Sequence, residues 1–114
     1  MIFLFMIILK LFSVFFSLQE IKFVWMRIFI TGSSDGIGKE TALQLAIKGH
    51  EVIINGRPGD KSVKALQEIK AKSGNSNIEL ITADLSSMDS VVELAEHIKV
   101  HYSNLKILIN NAGV

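Results

Sequence analysis

The sequence predicts an α/β fold: the first half of a doubly wound parallel sheet with strand order 3-2-1-4, preceded by an apolar amino-terminal helix. Three observations carry that prediction. Short β-branched runs alternate with segments of helical period. A turn with three glycines, Gly32-Ser33-Ser34-Asp35-Gly36-Ile37-Gly38, stands between the first such run and the first helix. The loops are short, and strand–helix alternation with short loops requires parallel strands joined by right-handed crossovers.

Each element follows from its residues. Ile28-Phe29-Ile30 reads as a buried strand. Behind the glycine turn, Ile37, Ala42, Leu45 and Ala46 are expected on one side of a helix that Gly49 ends. His50 is read as a turn residue, and Val52-Ile53-Ile54-Asn55 as a second buried strand. Gly56-Arg57-Pro58-Gly59 reads as loop. From Lys61 to Lys72, Val63, Leu66 and Ile69 predict a helix whose lysines face water. Gly74 to Asn77 reads as a turn and Ile78 to Ala83 as the third strand. Ser87 is the expected N-cap of a helix with an apolar stripe of Val91, Val92, Leu94, Ala95 and Ile98. Lys106 to Asn110 is the expected fourth strand.

Composition narrows the function. Charge is nearly balanced, 12 Lys and Arg against 11 Asp and Glu, so no basic face points to nucleic acid. There is no cysteine, which excludes disulfides and thiolate metal sites. His97 and His101 have a metal-clamp spacing, but a zinc site needs three or four ligands and no partner lies nearby in sequence, so no metal site is assigned.

Residues 1–26 read as a separate hydrophobic segment, and residues 27–114 as the α/β domain. Met1 to Leu18 is apolar apart from Lys10, Ser13 and Ser17. As a helix it would span about 27 Å, close to a bilayer core. Lys10 costs about 2.5–3.5 kcal/mol there, and thirteen Leu, Ile, Phe and Val residues contribute about 0.3–0.6 kcal/mol each near the centre, so insertion is slightly favoured. Two readings stay open. Residues 1–18 are a membrane anchor with the domain facing the cytosol, or they are a start-site extension and translation from Met26 gives a cytoplasmic protein. A secretory signal is disfavoured: no cation precedes the apolar core and no small-residue cleavage site follows it.

Two stretches carry chemistry. Amides at the N-terminus of a helix, reached through a glycine turn, favour an anion. Gly32 lets the chain turn, Gly36 lets a pyrophosphate approach, and Gly38 lets the helix pack on its strand. A second stretch, Asn110-Asn111-Ala112-Gly113, lies about 75 residues further on. Together they resemble the short-chain dehydrogenase/reductase family, whose loop reads Thr-Gly-x-x-x-Gly-Ile-Gly and whose fourth strand ends in Asn-Asn-Ala-Gly. The Gly56-Arg57 pair and Ala83-Asp84-Leu85-Ser86-Ser87 look most like its retinol-dehydrogenase-like members. The resemblance covers Arg27 to Val114, the cofactor-binding part of such an enzyme, and implies a Rossmann-like fold.

The resemblance implies a nicotinamide dinucleotide held by Gly32, Ser33, Ser34, Asp35, Gly36, Ile37 and Gly38, with Asp84 and Leu85 bordering the adenine and Asn110, Asn111, Ala112 and Gly113 beside the ribose. An arginine at the end of the second strand pairs with the 2′-phosphate of NADP, where an acid would take the NAD ribose. Asn55 to Gly59 contains Arg57 and no acid, so NADPH is expected over NADH. Asp35 argues the other way, since its charge would sit near that phosphate. The family's catalytic serine and Tyr-x-x-x-Lys pair follow the Asn-Asn-Ala-Gly stretch and have no counterpart here. Tyr102 and Lys106 match that spacing by coincidence: Ser103-Asn104 should end the helix, and Lys106 should begin a strand. No residue is therefore assigned as catalytic. The full-length protein, as a homo-oligomer or otherwise, would transfer hydride between nicotinamide and a carbonyl or alcohol. The alternatives are a nucleotide-binding regulatory module and a truncated product without function.

Overall fold

The computed structural model describes residues 24–113, and the anchor or extension reading of residues 1–18 lies outside them. Four strands alternate with three helices: β1 (Arg27–Ile30), α1 (Gly36–Ile47), β2 (Glu51–Gly56), α2 (Asp60–Ser73), β3 (Ile78–Thr82), α3 (Met88–His101) and β4 (Ile107–Ile109). The strands form one parallel sheet, as the alternation required, in the expected order β3-β2-β1-β4. No helix among the described residues is long and apolar enough to cross a membrane.

Alternation along the central strands divides the core in two. Ile28, Ile30, Val52 and Ile54 point to one face, where Ala42 and Ala46 of α1 and Ala65 and Ile69 of α2 cover them. Phe29 and Ile53 point to the other face and meet Leu94 of α3. Arg27 stands opposite Glu51 in the β1–β2 register, and their side chains pair at 2.8 Å.

Helix ends follow local chemistry. The Ser87 side chain accepts from the Ser90 amide and caps α3, as expected. Gly49 at φ +89° follows α1, and Gly74 at φ +66° closes α2 in the left-handed conformation.

Several buried positions differ from expectation. Ile37 is 81% exposed, because the inward row of α1 is Gly38, Ala42 and Ala46, spaced by four, and Ile37 sits about 100° off it. Val63 is exposed, and Ser62, Ala65 and Ile69 form the buried row of α2. Val92 and Ala95 are exposed on α3, where Leu94 is the fully buried member of the expected stripe. Gly56 completes β2 rather than starting the loop. Ala83, Lys106 and Asn110 fall just outside their expected strands.

Tyr102 is the C-cap of α3, consistent with packing at a helix end. Its hydroxyl donates to Glu79 of β3, and the Arg27 guanidinium lies 5.5 Å from its ring centroid. Burial, the bond to Glu79 and that carboxylate's charge push the phenol up to about 12. A raised phenol pKa means that the bond's stabilisation is complete below the unfolded value near 10 and is lost as pH rises through about 12. The chain has one tyrosine, so phenolate absorbance reports it alone. The folded chain should titrate near 12 and the Glu79→Gln variant distinctly lower. A wild-type midpoint near 10 would contradict the assignment.

Candidate functional site

The site is built where the turn after β1 is clasped from both sides. On the β2 side, the Ser33 amide donates to the Asn55 carbonyl at 2.7 Å, and the Asn55 amide donates to Ser33 Oγ at 2.8 Å. Ser33 Oγ in turn donates to the Ile30 carbonyl at 2.7 Å. The Asn55 side chain accepts from the Gly32 amide at 3.1 Å and donates to the Ile81 carbonyl at 3.1 Å, joining the turn to β3. On the β4 side, Thr31 Oγ1 accepts from the amides of Asn111 at 3.0 Å and Ala112 at 3.1 Å. The Asn111 side chain donates to the Gly32 carbonyl at 3.0 Å. Ser33 and Asn55 are essentially fully buried, so each of these partners is needed.

Glycine is required here for three different reasons. At Gly32, φ is +60° and a Cβ would lie 2.9 Å from Ala112 Cα. At Gly38, a Cβ would lie 2.6 Å from the Gly32 carbonyl oxygen, in the space the Asn111 amide occupies. That role differs from the strand packing read from the sequence: Gly38 makes room for the clasp. Gly36 has φ +57° and nothing within 4 Å of a built Cβ, so it supplies backbone freedom and open space.

Between these elements lies a cleft of about 420 Å³ at the carboxyl edge of the sheet. It brings together Gly32, Ser34, Arg57, Asp84, Leu85, Asn111, Ala112 and Gly113 from the expected set. Ser33 is buried and does not line it. Asp35, Gly36 and Ile37 are exposed at the start of α1, outside the cleft wall, and Gly38 is buried there. Asn110 lines a different cavity, an apolar one of about 480 Å³ beside Phe29, Leu94, Ile98 and Leu108. Thr31, Asn55 and Gly56 lie outside the expected set of site residues, although Thr31 heads the glycine motif and Gly56 belongs to the Gly56-Arg57 pair.

Two carboxylates shape the electrostatics. Asp84 Oδ1 accepts from the Ser86 hydroxyl at 2.6 Å and from the Ser86 amide at 3.0 Å. These bonds, with the Arg57 charge at 3.9 Å, hold it below the usual carboxylate range. Asp35 caps α1, accepting from the Gly36 amide at 2.8 Å. Its other oxygen meets Lys61 Nζ at 2.8 Å, and this bond is the largest cause of its lowered pKa. The first bond of α1 runs from Lys39 N to Asp35 O, so the Ile37 and Gly38 amides lie ahead of the helical ladder. Such amides suit an anion, and the open space at Gly36 admits one. The residues therefore fit a dinucleotide.

Tyr102 and Lys106 do not form a catalytic pair: the Tyr102 hydroxyl is directed to Glu79 near the start of β3, and Lys106 donates its amide to Arg27 O between α3 and β4. His97 and His101 stack on one another, their ring centroids 4.3 Å apart. Among the described residues no group of three metal-ligating side chains occurs.

Comparison with known proteins agrees with this architecture. The family model for short chain dehydrogenase matches residues 26–114. The chain is 40% identical over 85 residues to polyprenol dehydrogenase of Homo sapiens, covering 75% of this chain and 26% of that protein. It is 45% identical over 85 residues to retinol dehydrogenase 12 of Mus musculus, covering 75% of this chain and 27% of that protein. Among solved structures, a short-chain dehydrogenase from Sphingobium yanoikuyae in complex with NADPH superposes with a TM-score of 0.68 at 28% identity, over 78% of this chain and 34% of that one. A short chain dehydrogenase from Shigella flexneri complexed with NADP gives 0.67 at 33% identity, over 78% and 38%. The chain thus spans about a quarter of the length of the curated relatives it matches.

The clasp predicts an asymmetry between two glycines. Gly38→Ala forces an atom against a backbone carbonyl, at about 1–3 kcal/mol, and displaces the Asn111 amide from the Gly32 carbonyl, at about 1–3 kcal/mol more. Gly36→Ala meets no atom and should cost about 1 kcal/mol of backbone strain. Urea unfolding of both variants checks this, and equal losses would contradict the clasp.

Proposed function

We propose that this chain, which belongs to the short-chain dehydrogenase family, holds a nicotinamide dinucleotide in the cleft at the carboxyl edge of its sheet, and that the cofactor is NADP in preference to NAD. The amides of Ile37 and Gly38, with Gly36 beside them, receive the pyrophosphate. Ser34 and Gly32 line its path, and the buried Ser33 holds the turn in shape. Asp84 and Leu85 border the adenine, with Asp84 Oδ1 committed to the Ser86 turn. Asn111, Ala112 and Gly113 adjoin the ribose, and Asn110 faces the apolar cavity beside them. When bound, the cofactor supplies hydride chemistry toward a carbonyl or secondary alcohol in the full-length protein. This chain's own residues bind and orient it, and none is assigned a catalytic role. Residues 27–114 form the cofactor-binding domain. Residues 1–18 anchor it to a membrane with the domain in the cytosol, unless translation begins at Met26.

The observation that carries the NADP reading is Arg57. It lies on the cleft wall just after β2, its side chain is 80% exposed, and no acid stands beside it in residues 55–59. Its nearest acidic partner, Asp84, is 3.9 Å away and also solvent-accessible, so the guanidinium is held weakly and can turn to a phosphate. Charge-assisted bonds of about 1.5–3 kcal/mol correspond to roughly ten- to more than a hundredfold in affinity. Arg57→Ala should weaken NADPH by that range and leave NADH nearly unchanged. Arg57→Asp should shift preference toward NADH by repelling the phosphate and accepting from the ribose hydroxyl. Fluorescence titration of both cofactors decides it: equal losses, or none for NADPH, would overturn the assignment.

A further inference from the structure

The near balance of charge along the sequence hides a polarity that the fold creates. Each crossover helix runs back against its strands, so the helix C-termini collect at the amino edge of the sheet, opposite the nucleotide cleft. Hydrogen bonds hold the turns of that edge together. The Asn75 side chain donates to the carbonyls of Ala46 at 3.0 Å and His50 at 2.8 Å, seating the α2–β3 turn on the α1–β2 turn. The Lys106 amide donates to Arg27 O at 3.0 Å, and the Glu51 amide donates to Met26 O at 3.1 Å. Exposed lysines stand on each connection: Lys48 after α1, Lys70 and Lys72 in the last turn of α2, Lys99 in the last turn of α3, and Lys106 before β4. Among the described residues, the carboxylates at this edge are engaged. Glu51 pairs with Arg27 at 2.8 Å, and Glu79 accepts from the Tyr102 hydroxyl. Acids gather instead at the opposite edge, where Asp35 caps α1, Asp60 and Asp89 lie in the first turns of α2 and α3, and Asp84 lines the cleft.

Cations at helix C-termini favour the helix dipole wherever they occur, so the charge alone names no partner. The entry point of the chain does. It reaches β1 through Val24 and Trp25, which are 65% and 45% exposed at this same edge, and the apolar residues 1–18 lie shortly upstream in sequence. Tryptophan suits the headgroup level of a bilayer, and a group of lysines suits its anionic cytoplasmic leaflet. We propose that the amino edge of the sheet docks on an anionic lipid surface, with Lys48, Lys70, Lys72, Lys99 and Lys106 over the headgroups and Trp25 among them. This docking builds on the anchor reading above and fixes an orientation: the nucleotide cleft, at the far edge, opens away from the lipid. The acids around the cleft reinforce that orientation, since an anionic surface repels them.

Trp25 is the chain's one tryptophan, so its emission follows binding of the whole chain to vesicles. Phosphatidylcholine vesicles report the apolar stretch, and added phosphatidylserine reports the lysines. At physiological salt, phosphatidylserine should raise the partition coefficient by roughly tenfold or more, and the gain should fade as salt rises. A lysine near an anionic leaflet is worth about fivefold. Lys72→Gln should therefore lose about fivefold on phosphatidylserine vesicles, and Lys70→Gln combined with Lys72→Gln roughly tenfold or more. Lys64→Gln removes the same charge about 12 Å further back along α2, beyond a Debye length, and should lose under about twofold. None of these variants should change binding to phosphatidylcholine. Equal losses for Lys64→Gln and Lys72→Gln would overturn the docking. Binding to phosphatidylcholine with no gain from phosphatidylserine refutes the docking and leaves the anchor reading standing, whereas binding to neither refutes both. A duplex oligonucleotide that binds with the same lysine dependence, in place of any phosphatidylserine gain, would make nucleic acid the partner and overturn the lipid.

Discussion

The site depends on one close approach, the seating of the Asn111 side chain against the Gly32 carbonyl in the space that a Cβ on Gly38 would fill. That contact joins positions 79 residues apart and, with Thr31 accepting two amides from the same stretch, locks the end of β4 onto the turn after β1. Asn55 locks the turn from the opposite side and reaches on to β3. The turn is thereby held by three strands before any ligand arrives, as a preorganised site should be. The glycine motif acts less as a flexible loop than as a set of vacancies, two filled by neighbouring residues and one left open at Gly36.

The two faces of the sheet are unequally covered. One carries α1 and α2 over a continuous apolar cluster. The other carries α3 over a smaller one, and beside it lies the apolar cavity lined by Phe29, Leu94 and Leu108. Val92, Val100 and Leu108 are exposed on this side. Parallel sheets are ordinarily covered on both faces, so the stability of residues 24–113 rests unequally on the α1–α2 side. The nucleotide cleft draws its walls from the turns at the strand ends, so its shape follows the hydrogen-bonded clasp more than the packing of α3.

Strand order, helix count, the Ser87 cap and the Gly49 stop were legible because they depend on local periodicity and on cap and turn chemistry. The inward rows of α1 and α2 were less so. Gly38, Ala42, Ser62 and Ala65 are small residues chosen for close approach, and the larger Ile37 and Val63 drew the apolar pattern outward. Thr31 and Asn55 matter through partners distant in sequence, which no local pattern reveals. Lys61 looked like one of several solvated lysines, and only the fold places it on Asp35. The Tyr102–Lys106 spacing shows the converse: it needs one continuous helix, and α3 ends at His101.

The central claim is that the clasped turn and the cleft beside it form the dinucleotide site. Backbone amide shifts of the isotopically labelled chain, followed during NADP⁺ addition, test it most directly. The account predicts that the changes concentrate at Ser34 to Gly38, Arg57, Asp84, Leu85, Ala112 and Gly113. The amides of Asn111 and Ser33, already bonded within the clasp, should stay slow to exchange throughout. Shifts centred on Val91, Leu94 and Leu108 around the apolar cavity, or none at saturating NADP⁺, would contradict it.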